Sequence, residues 1–183
     1  MEKIYETAYA KINLGLDVLG KRSDGYHEVR MVMQSVGLSD AVEIEEGEGL
    51  VVETDHSGLA GGPDNLAWKA AELLARCCGK IPNVHIRLNK KIFLAAGLAG
   101  GSSDAAAVMR GLSRLWQLDL TAPELEKLAA ELGSDIPFCI TGGTALAEGR
   151  GEILTELPEA PELLLVLAKP KLEVATGWVY GNF

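Results

Sequence analysis

The sequence has few of the features that mark secreted, membrane-spanning or metal-binding proteins. Its longest unbroken apolar run covers residues 163–168, far short of the ~20 residues that a helix needs to cross a bilayer. The first residues form neither a basic segment nor an apolar one, so we expect no secretory signal. The three cysteines, Cys77, Cys78 and Cys139, have no metal-ligand spacing. We interpret them as free thiols of a cytoplasmic protein.

Positive charge is also scarce, because 17 Lys and Arg residues stand against 26 Asp and Glu residues, a net charge of −9. This balance argues against non-specific binding to nucleic acid or to an anionic membrane. An anionic ligand would therefore need a local group of hydrogen-bond donors. The 183 residues, 48% of them hydrophobic, suffice for one globular domain, or for one domain and part of another.

Hydrophobic periodicity predicts a mixed α+β protein. Strands are expected over residues 4–19, 29–36, 41–46, 50–53, 84–88, 144–147 and 163–167, with 50–53 as the hairpin partner of 41–46. Helices are expected from Asp64 or Asn65 to about 78, after a cap at Ser102 and Ser103, from 121 to 132, and at 174–180.

The segment 95–107 is the most informative part of the chain, since small residues lead into two serines and then into a helix. Main-chain N–H groups in such a loop can approach a ligand closely. The helix behind adds unpaired N–H groups and the positive end of its dipole, which together favour an anion. Ser102 and Ser103 could add hydroxyl donors to phosphate or metal. A tightly packed loop before a capped helix would look similar.

Three common motifs do not fit this loop. A Walker loop needs a lysine where Gly101 stands, a dinucleotide-binding fingerprint needs a glycine where Ala99 stands, and a hydrolase elbow needs a glycine where Asp104 stands.

The same loop, at residues 97–106, resembles the phosphate loop of the GHMP kinases. Two further blocks follow the order of this family: residues 10–14 with 20–28, and residues 132–138. The resemblance implies an N-terminal GHMP kinase domain, in which a mixed sheet packs on helices as in the second domain of ribosomal protein S5. It also implies ATP as phosphoryl donor, Mg²⁺, and a small-molecule acceptor: the 2-hydroxyl of 4-diphosphocytidyl-2-C-methyl-D-erythritol, in non-mevalonate isoprenoid biosynthesis.

The resemblance gives Asp135 the role of the base and Lys11 that of its neighbouring cation. A carboxylate that accepts the proton of a tertiary alcohol is chemically sensible, and a poorly solvated carboxylate requires a cation. The structural alternatives are a turn-forming aspartate before Pro137 and a lysine on an edge strand.

The resemblance also assigns the ligand-binding positions. Asn13, on the strand face of Lys11, would hold the substrate, and Tyr26, His27 and Tyr180 would bind the cytidine group. ATP would contact Asn65, Gly97, Leu98, Ala99, Gly100, Gly101, Ser102 and Ser103. Structural alternatives remain for several of these residues: a sheet-edge bond for Asn13, a core site for Tyr26 and His27, and a helix cap for Asn65. For Asp104 we favour a helix cap over a metal ligand, and for Cys139 a buried structural thiol.

The chain departs from the family pattern in two respects. Ala95, Ala96 and Ala99 stand where glycine is usual, and Phe93 replaces a usual proline; an alanine at a left-handed position costs about 1 kcal/mol. Family members also continue into a C-terminal domain. We therefore expect residues 1–168 to be the ATP- and substrate-binding domain and 169–183 to begin a shortened second part. Exposed apolar surface would then favour self-association, and a non-catalytic nucleotide- or cytidine-binding domain, or another GHMP small-molecule kinase, is the alternative function.

Overall fold

A long antiparallel ribbon, formed by β1 (Lys3–Lys21) and β2 (His27–Glu46), is the scaffold of the fold. The computed structural model describes residues 3–170 and residue 179. The turn between the two strands forms because the Asp24 carboxylate accepts the amide N–H of Tyr26 at 3.1 Å, and because Gly25 adopts a φ of +87°. The ribbon thus places residues 11–13 and 26–27 on one continuous structure.

The remaining elements complete a mixed sheet with helices. In the described part of the chain they are β3 (Leu50–Thr54), α1 (Leu66–Cys77), β4 (Val84–Asn89), α2 (Gly100–Leu115), α3 (Ala122–Ala129), α4 (Ile136–Thr141), β5 (Thr144–Glu148) and β6 (Ile153–Glu156). The sheet order is β3-β4-β2-β5-β6, and β1 pairs with the other edge of β2. The first half of β2 bonds to β5 and its second half to β4. The α+β prediction is confirmed.

The main core lies between one face of the sheet and the helices. Small residues on α2, including Ala105 and Ala106, are fully buried against it. Gly111 allows the closest approach, because a Cβ there would lie 2.5 Å from Cδ1 of Ile44 on β2. Helix α2 can therefore lie close on the ribbon that carries Lys11. None of the helices in the described residues is long and apolar enough to span a bilayer.

Two predictions about strand pairing are wrong. Residues 29–36 and 41–46 belong to one strand, β2, and β3 is not its hairpin partner. Instead, β3 pairs in parallel with β4, and α1 connects them. Alternation identifies a strand but not its neighbour, and a parallel pair needs a crossover connection.

The later elements also differ from the prediction. Residues 163–167 form no strand in the structure, and Leu164 is 98% exposed. The short elements α4 and β6 were not expected, since Pro137 suggested a turn although proline is tolerated in a first helical turn. Helix α3 ends at Ala129 rather than 132. The helix expected over 174–180 lies outside the described residues, apart from residue 179.

Candidate functional site

Lys11 and Asp135 come together although they belong to distant segments. Lys11 lies on β1, and Asp135 is the residue that precedes α4. The Nζ atom of Lys11 lies 3.8 Å from Oδ2 of Asp135, and it donates a hydrogen bond of 3.2 Å to Oδ1 of Asn13. The lysine side chain is 7% exposed and the aspartate 33%. A nearly buried ammonium therefore faces a carboxylate that solvent or a ligand can reach.

The small-residue loop ends against this pair. The main-chain N–H of Lys11 donates to the carbonyl of Leu98 at 3.1 Å. The next residue, Ala99, is the N-cap of α2 in a left-handed conformation with φ 57° and ψ 29°. Helix α2 therefore begins at Gly100, and the prediction of a cap at Ser102 and Ser103 is wrong.

The start of α2 presents main-chain donors. The first intrahelical bond of this turn runs from the N–H of Ser103 to the carbonyl of Ala99 at 2.8 Å. The N–H groups of Gly100, Gly101 and Ser102 precede it, so the helix itself supplies no acceptor for them. These three donors and the helix dipole can stabilise an anion such as a phosphate.

Ser103 faces the interior, in contrast to the expectation for its hydroxyl. Its Oγ donates to the carbonyl of Tyr9 at 2.6 Å and lies 3.4 Å from Sγ of Cys139. Burial raises the pKa of the Cys139 thiol to about 11, so this cysteine is a neutral packing group, as expected. Of the two serine hydroxyls, only that of Ser102 is therefore available to a ligand beside the loop.

Asp104 does not cap α2, contrary to the prediction. It lies inside the helix and is buried against the Nζ atom of Lys90, which also pairs with Asp40. Burial raises the pKa of Asp104 to about 7, although Lys90 opposes the shift. Asp40 also accepts the N–H groups of Lys91 and Ile92. This buried cluster fixes the base of the loop to the sheet and to α2.

A cavity of about 560 Å³ connects the pair with the loop. The predicted site residues that line it are Lys11, Asn13, Tyr26, His27, Gly97, Ser102 and Asp135. Ser134 and Arg150 also line it, and neither was predicted from the sequence. The guanidinium of Arg150 lies 4.7 Å from the ring centroid of Tyr26, and Glu152 accepts the main-chain N–H of Arg150 at 2.7 Å. The glycines at 149 and 151, both with positive φ, were the available signal for a tight turn that projects a cation.

Asn65 caps α1 rather than lining the cavity. Its Oδ1 accepts the N–H of Ala67 at 2.9 Å, and its Nδ2 donates to the carbonyl of Ala60 at 2.9 Å. The adjacent Leu66 nevertheless approaches the start of α2, since a Cβ on Gly101 would lie 3.4 Å from it. Tyr180 lies outside the described residues.

A second cavity of about 570 Å³ lies on the outer face of the sheet. Glu43 and Glu53, which line it, both pair with Arg87. It contains none of the predicted site residues, so the cavity beside Asp135 is the candidate site. Within the described residues, no group of three or more His, Cys, Asp or Glu side chains could hold a metal ion.

Comparison with known proteins agrees with this geometry. Residues 65–143 match the family model of the GHMP kinases N terminal domain. The chain is 50% identical over 183 residues to the 4-diphosphocytidyl-2-C-methyl-D-erythritol kinase of Acetivibrio thermocellus, covering 100% of this chain and 65% of that protein. It is 53% identical over 178 residues to the protein of the same name from a Synechococcus species, covering 96% of this chain and 58% of that protein. By sequence, this chain is therefore similar to the GHMP kinases, and residues 65–143 match their N-terminal domain.

Solved structures of GHMP kinases show the same fold. A crystal structure of 4-(cytidine 5'-diphospho)-2C-methyl-D-erythritol kinase superposes with a TM-score of 0.78 at 36% identity, covering 97% of this chain and 63% of that one. A mevalonate kinase structure, at 14% identity and a TM-score of 0.64, shares the fold alone. The chain spans 58% to 65% of the length of the two relatives named above.

Proposed function

We propose that this protein transfers the γ-phosphoryl group of ATP to the 2-hydroxyl of 4-diphosphocytidyl-2-C-methyl-D-erythritol. The observation that carries the proposal is the ion pair of Lys11 and Asp135, which opens into a cavity between the amide-bearing loop and Tyr26. One end of this cavity suits a polyphosphate and the other suits a base. The relatives bearing this kinase name support the choice of substrate.

In the proposed reaction, Asp135 accepts the proton of the acceptor hydroxyl while the oxygen attacks the γ-phosphorus and ADP leaves. Asp135 is reachable from the cavity. Lys11 stabilises the negative charge that develops on the attacking oxygen, and Asn13 orients the lysine through its bond to Nζ. Phosphoryl transfer requires mainly this kind of positioning and charge stabilisation.

The loop is the proposed ATP site. The N–H groups of Gly100, Gly101 and Ser102 would bind phosphate oxygens, with Gly97, Leu98 and Ala99 shaping the approach. Mg²⁺ commonly keeps several waters and takes other ligands from substrate phosphates, so it needs few protein ligands. The hydroxyl of Ser102 is the group that we expect beside it, and the ion would neutralise phosphate charge when bound.

Tyr26 and His27 form the proposed cytidine site. Tyr26 is 52% exposed, and its ring can stack on a pyrimidine, a contact worth about 1–3 kcal/mol per base. Arg150 lies beside this ring and supplies a cation that suits a diphosphate. We expect the protein to act in the cytoplasm, and its three cysteines are free thiols.

The test is an ATP-dependent phosphorylation assay of the encoded protein with the cytidyl substrate. Asp135→Asn should abolish turnover and leave ATP and CDP binding within about twofold, because the amide keeps the shape but accepts no proton. Absence of turnover in the wild type, with binding retained, would favour a non-catalytic binding domain. Tighter binding of a sugar phosphate than of CDP would favour another GHMP kinase.

A further inference from the structure

The outer edge of β1 is sealed by α2 and the loop rather than by another strand. Along this edge, every second residue from Tyr5 to Lys11 makes one main-chain hydrogen bond to α2 or to the loop. The main-chain carbonyls of Tyr5, Thr7 and Tyr9 accept hydrogen bonds from the side chains of Arg114 at 3.3 Å, Arg110 at 2.9 Å and Ser103 at 2.6 Å, respectively. The main-chain N–H of Lys11 donates to the carbonyl of Leu98 at 3.1 Å. This series fixes the position of β1 along α2, and it ends at Lys11.

Arg110 differs from the other members of the series because it binds main-chain carbonyls of α4 as well as one of β1. Its Nη1 donates to the carbonyl of Cys139 at 2.6 Å and to that of Ile140 at 3.3 Å. These carbonyls lie in the last turn of α4, where helix geometry leaves them without intrahelical donors. The Nε atom pairs with Glu6 at 3.1 Å, so the guanidinium is held on β1 as well.

The two elements joined by Arg110 carry the two groups of the site. Thr7 lies on the strand of Lys11, and α4, which spans about 9 Å at 1.5 Å per residue, starts directly after Asp135. Arg110 therefore ties together a point on β1 four residues before Lys11 and the last turn of α4, the helix that follows Asp135. Cys139 of α4 also contacts Ser103 of α2.

We propose that Arg110 is a positioning residue that sets the separation of Lys11 and Asp135; this inference rests on the proposed function. Arg110 acts through main-chain groups of β1 and α4 and does not line the cavity. Only a planar guanidinium supplies donors in the fork that these three carbonyls require, because the three donors of an ammonium all radiate from one nitrogen atom.

The test compares Arg110→Met and Arg110→Lys with Arg114→Met in the encoded protein. Arg114 is a matched control, because it lies one turn further along α2 and contacts Tyr5 and Glu6 but no residue of α4 among its recorded bonds. We expect Arg110→Met to lower kcat by between about tenfold and a hundredfold, since small displacements of reacting groups have effects of this size. KM for ATP and for the acceptor should stay within about twofold, because binding groups are untouched.

The kcat of Arg110→Lys should lie between those of the wild type and of Arg110→Met. Arg114→Met should keep kcat within about twofold of the wild-type value. An unchanged kcat in Arg110→Met, or an equal loss of kcat in Arg114→Met, would overturn the proposal.

Hydrogen exchange separates this inference from the proposed function. If the wild type fails to phosphorylate the substrate, the proposed function fails. Arg110→Met should still speed exchange at residues 7–11 and 136–141, and Arg114→Met should leave 136–141 unchanged. Unaltered exchange of 136–141 in Arg110→Met would overturn the positioning role whether or not turnover is found.

Discussion

Ala99 lies in the proposed ATP-binding loop and has a strained backbone conformation. It is left-handed at the start of α2, the conformation for which the sequence analysis anticipated a cost. Ala95, with a φ of 50°, has the same conformation, whereas Ala96 does not. Glycine enters this region without the steric penalty of a Cβ.

Ala99→Gly should therefore raise the free energy of unfolding by up to about 1 kcal/mol. Ala96→Gly should lower it by about 0.5 kcal/mol or more, because it increases the entropy of the unfolded chain and removes a methyl group that packs on the cluster of Ala10, Ile92 and Leu98. Urea denaturation of the two variants measures the difference. A larger loss in Ala99→Gly than in Ala96→Gly would contradict the strain assigned to Ala99.

Asp104 predicts a pH dependence of stability. Its pKa is raised to about 7 in the folded protein from a reference value of 3.8, with burial as the main cause. Between these values the folded state keeps a proton that the unfolded state releases, so stability falls as pH rises through this range and levels off above about 7. Asp104→Asn should make the unfolding free energy depend less steeply on pH between about 4 and 7. Exposed Asp119 is the control, and an equal flattening in Asp119→Asn would contradict the assignment.

At the scale of elements, the loop before α1 depends on close contact with β3. A Cβ on Gly61 would lie 1.8 Å from the main-chain carbonyl of Val52, which cannot move as a side chain could. Gly62 has ordinary φ and, among the described residues, no atom within 4 Å of its would-be Cβ. A comparison of alanine substitutions at Gly61 and Gly62 therefore separates the effect of a steric clash from the effect of reduced backbone freedom.

Gly61→Ala should lower the free energy of unfolding by about 1–3 kcal/mol, the usual range for overpacking. Gly62→Ala should stay within about 0.5 kcal/mol of wild type. Thermal unfolding followed by circular dichroism measures both. Equal stabilities would mean that the loop approaches β3 less closely than described.

The elements also show where sequence reasoning succeeds and fails. Asn65 and the capping box at Thr121 and Glu124 identified two helix starts, because capping is a local interaction. The pairing of β3 with β4 depends on tertiary contacts that alternation does not encode. The apolar run 163–167 was mistaken for a strand, since composition alone cannot supply a partner.

For the molecule as a whole, the candidate site was predictable through the resemblance rather than through periodicity. The ordered motifs implied that Lys11 and Asp135 share a site, and the two side chains do lie together. No local sequence pattern links them. Arg110 and Arg150 escaped notice because a lone arginine on a helix or in a turn looks like a solvated surface residue. Their partners are main-chain carbonyls and an aromatic ring from distant segments.

Ligand-induced stabilisation tests the base site at this scale. CDP at about 100 times its Kd should stabilise the protein by about 2.7 kcal/mol. Arg150→Met should weaken CDP binding by about tenfold, since it removes a cation worth roughly 1.4 kcal/mol against a diphosphate. Arg76→Met, an exposed change on α1 away from the cavity, should leave the Kd for CDP unchanged, as measured by calorimetry. Equal affinities in both variants would remove Arg150 from the site.

The ribbon of β1 and β2 restricts how this chain can change in length. Lys11 lies on the first arm of this hairpin and Tyr26 in its turn, and both line the same cavity. Because successive strand residues point to opposite faces, adding or deleting a single residue in either arm turns every side chain beyond it to the other face. A pair of residues restores the original facing. Between the ammonium and the aromatic ring, a change of length by an odd number of residues would therefore turn one of the two groups out of the cavity, whereas an even number would keep both facing the same side.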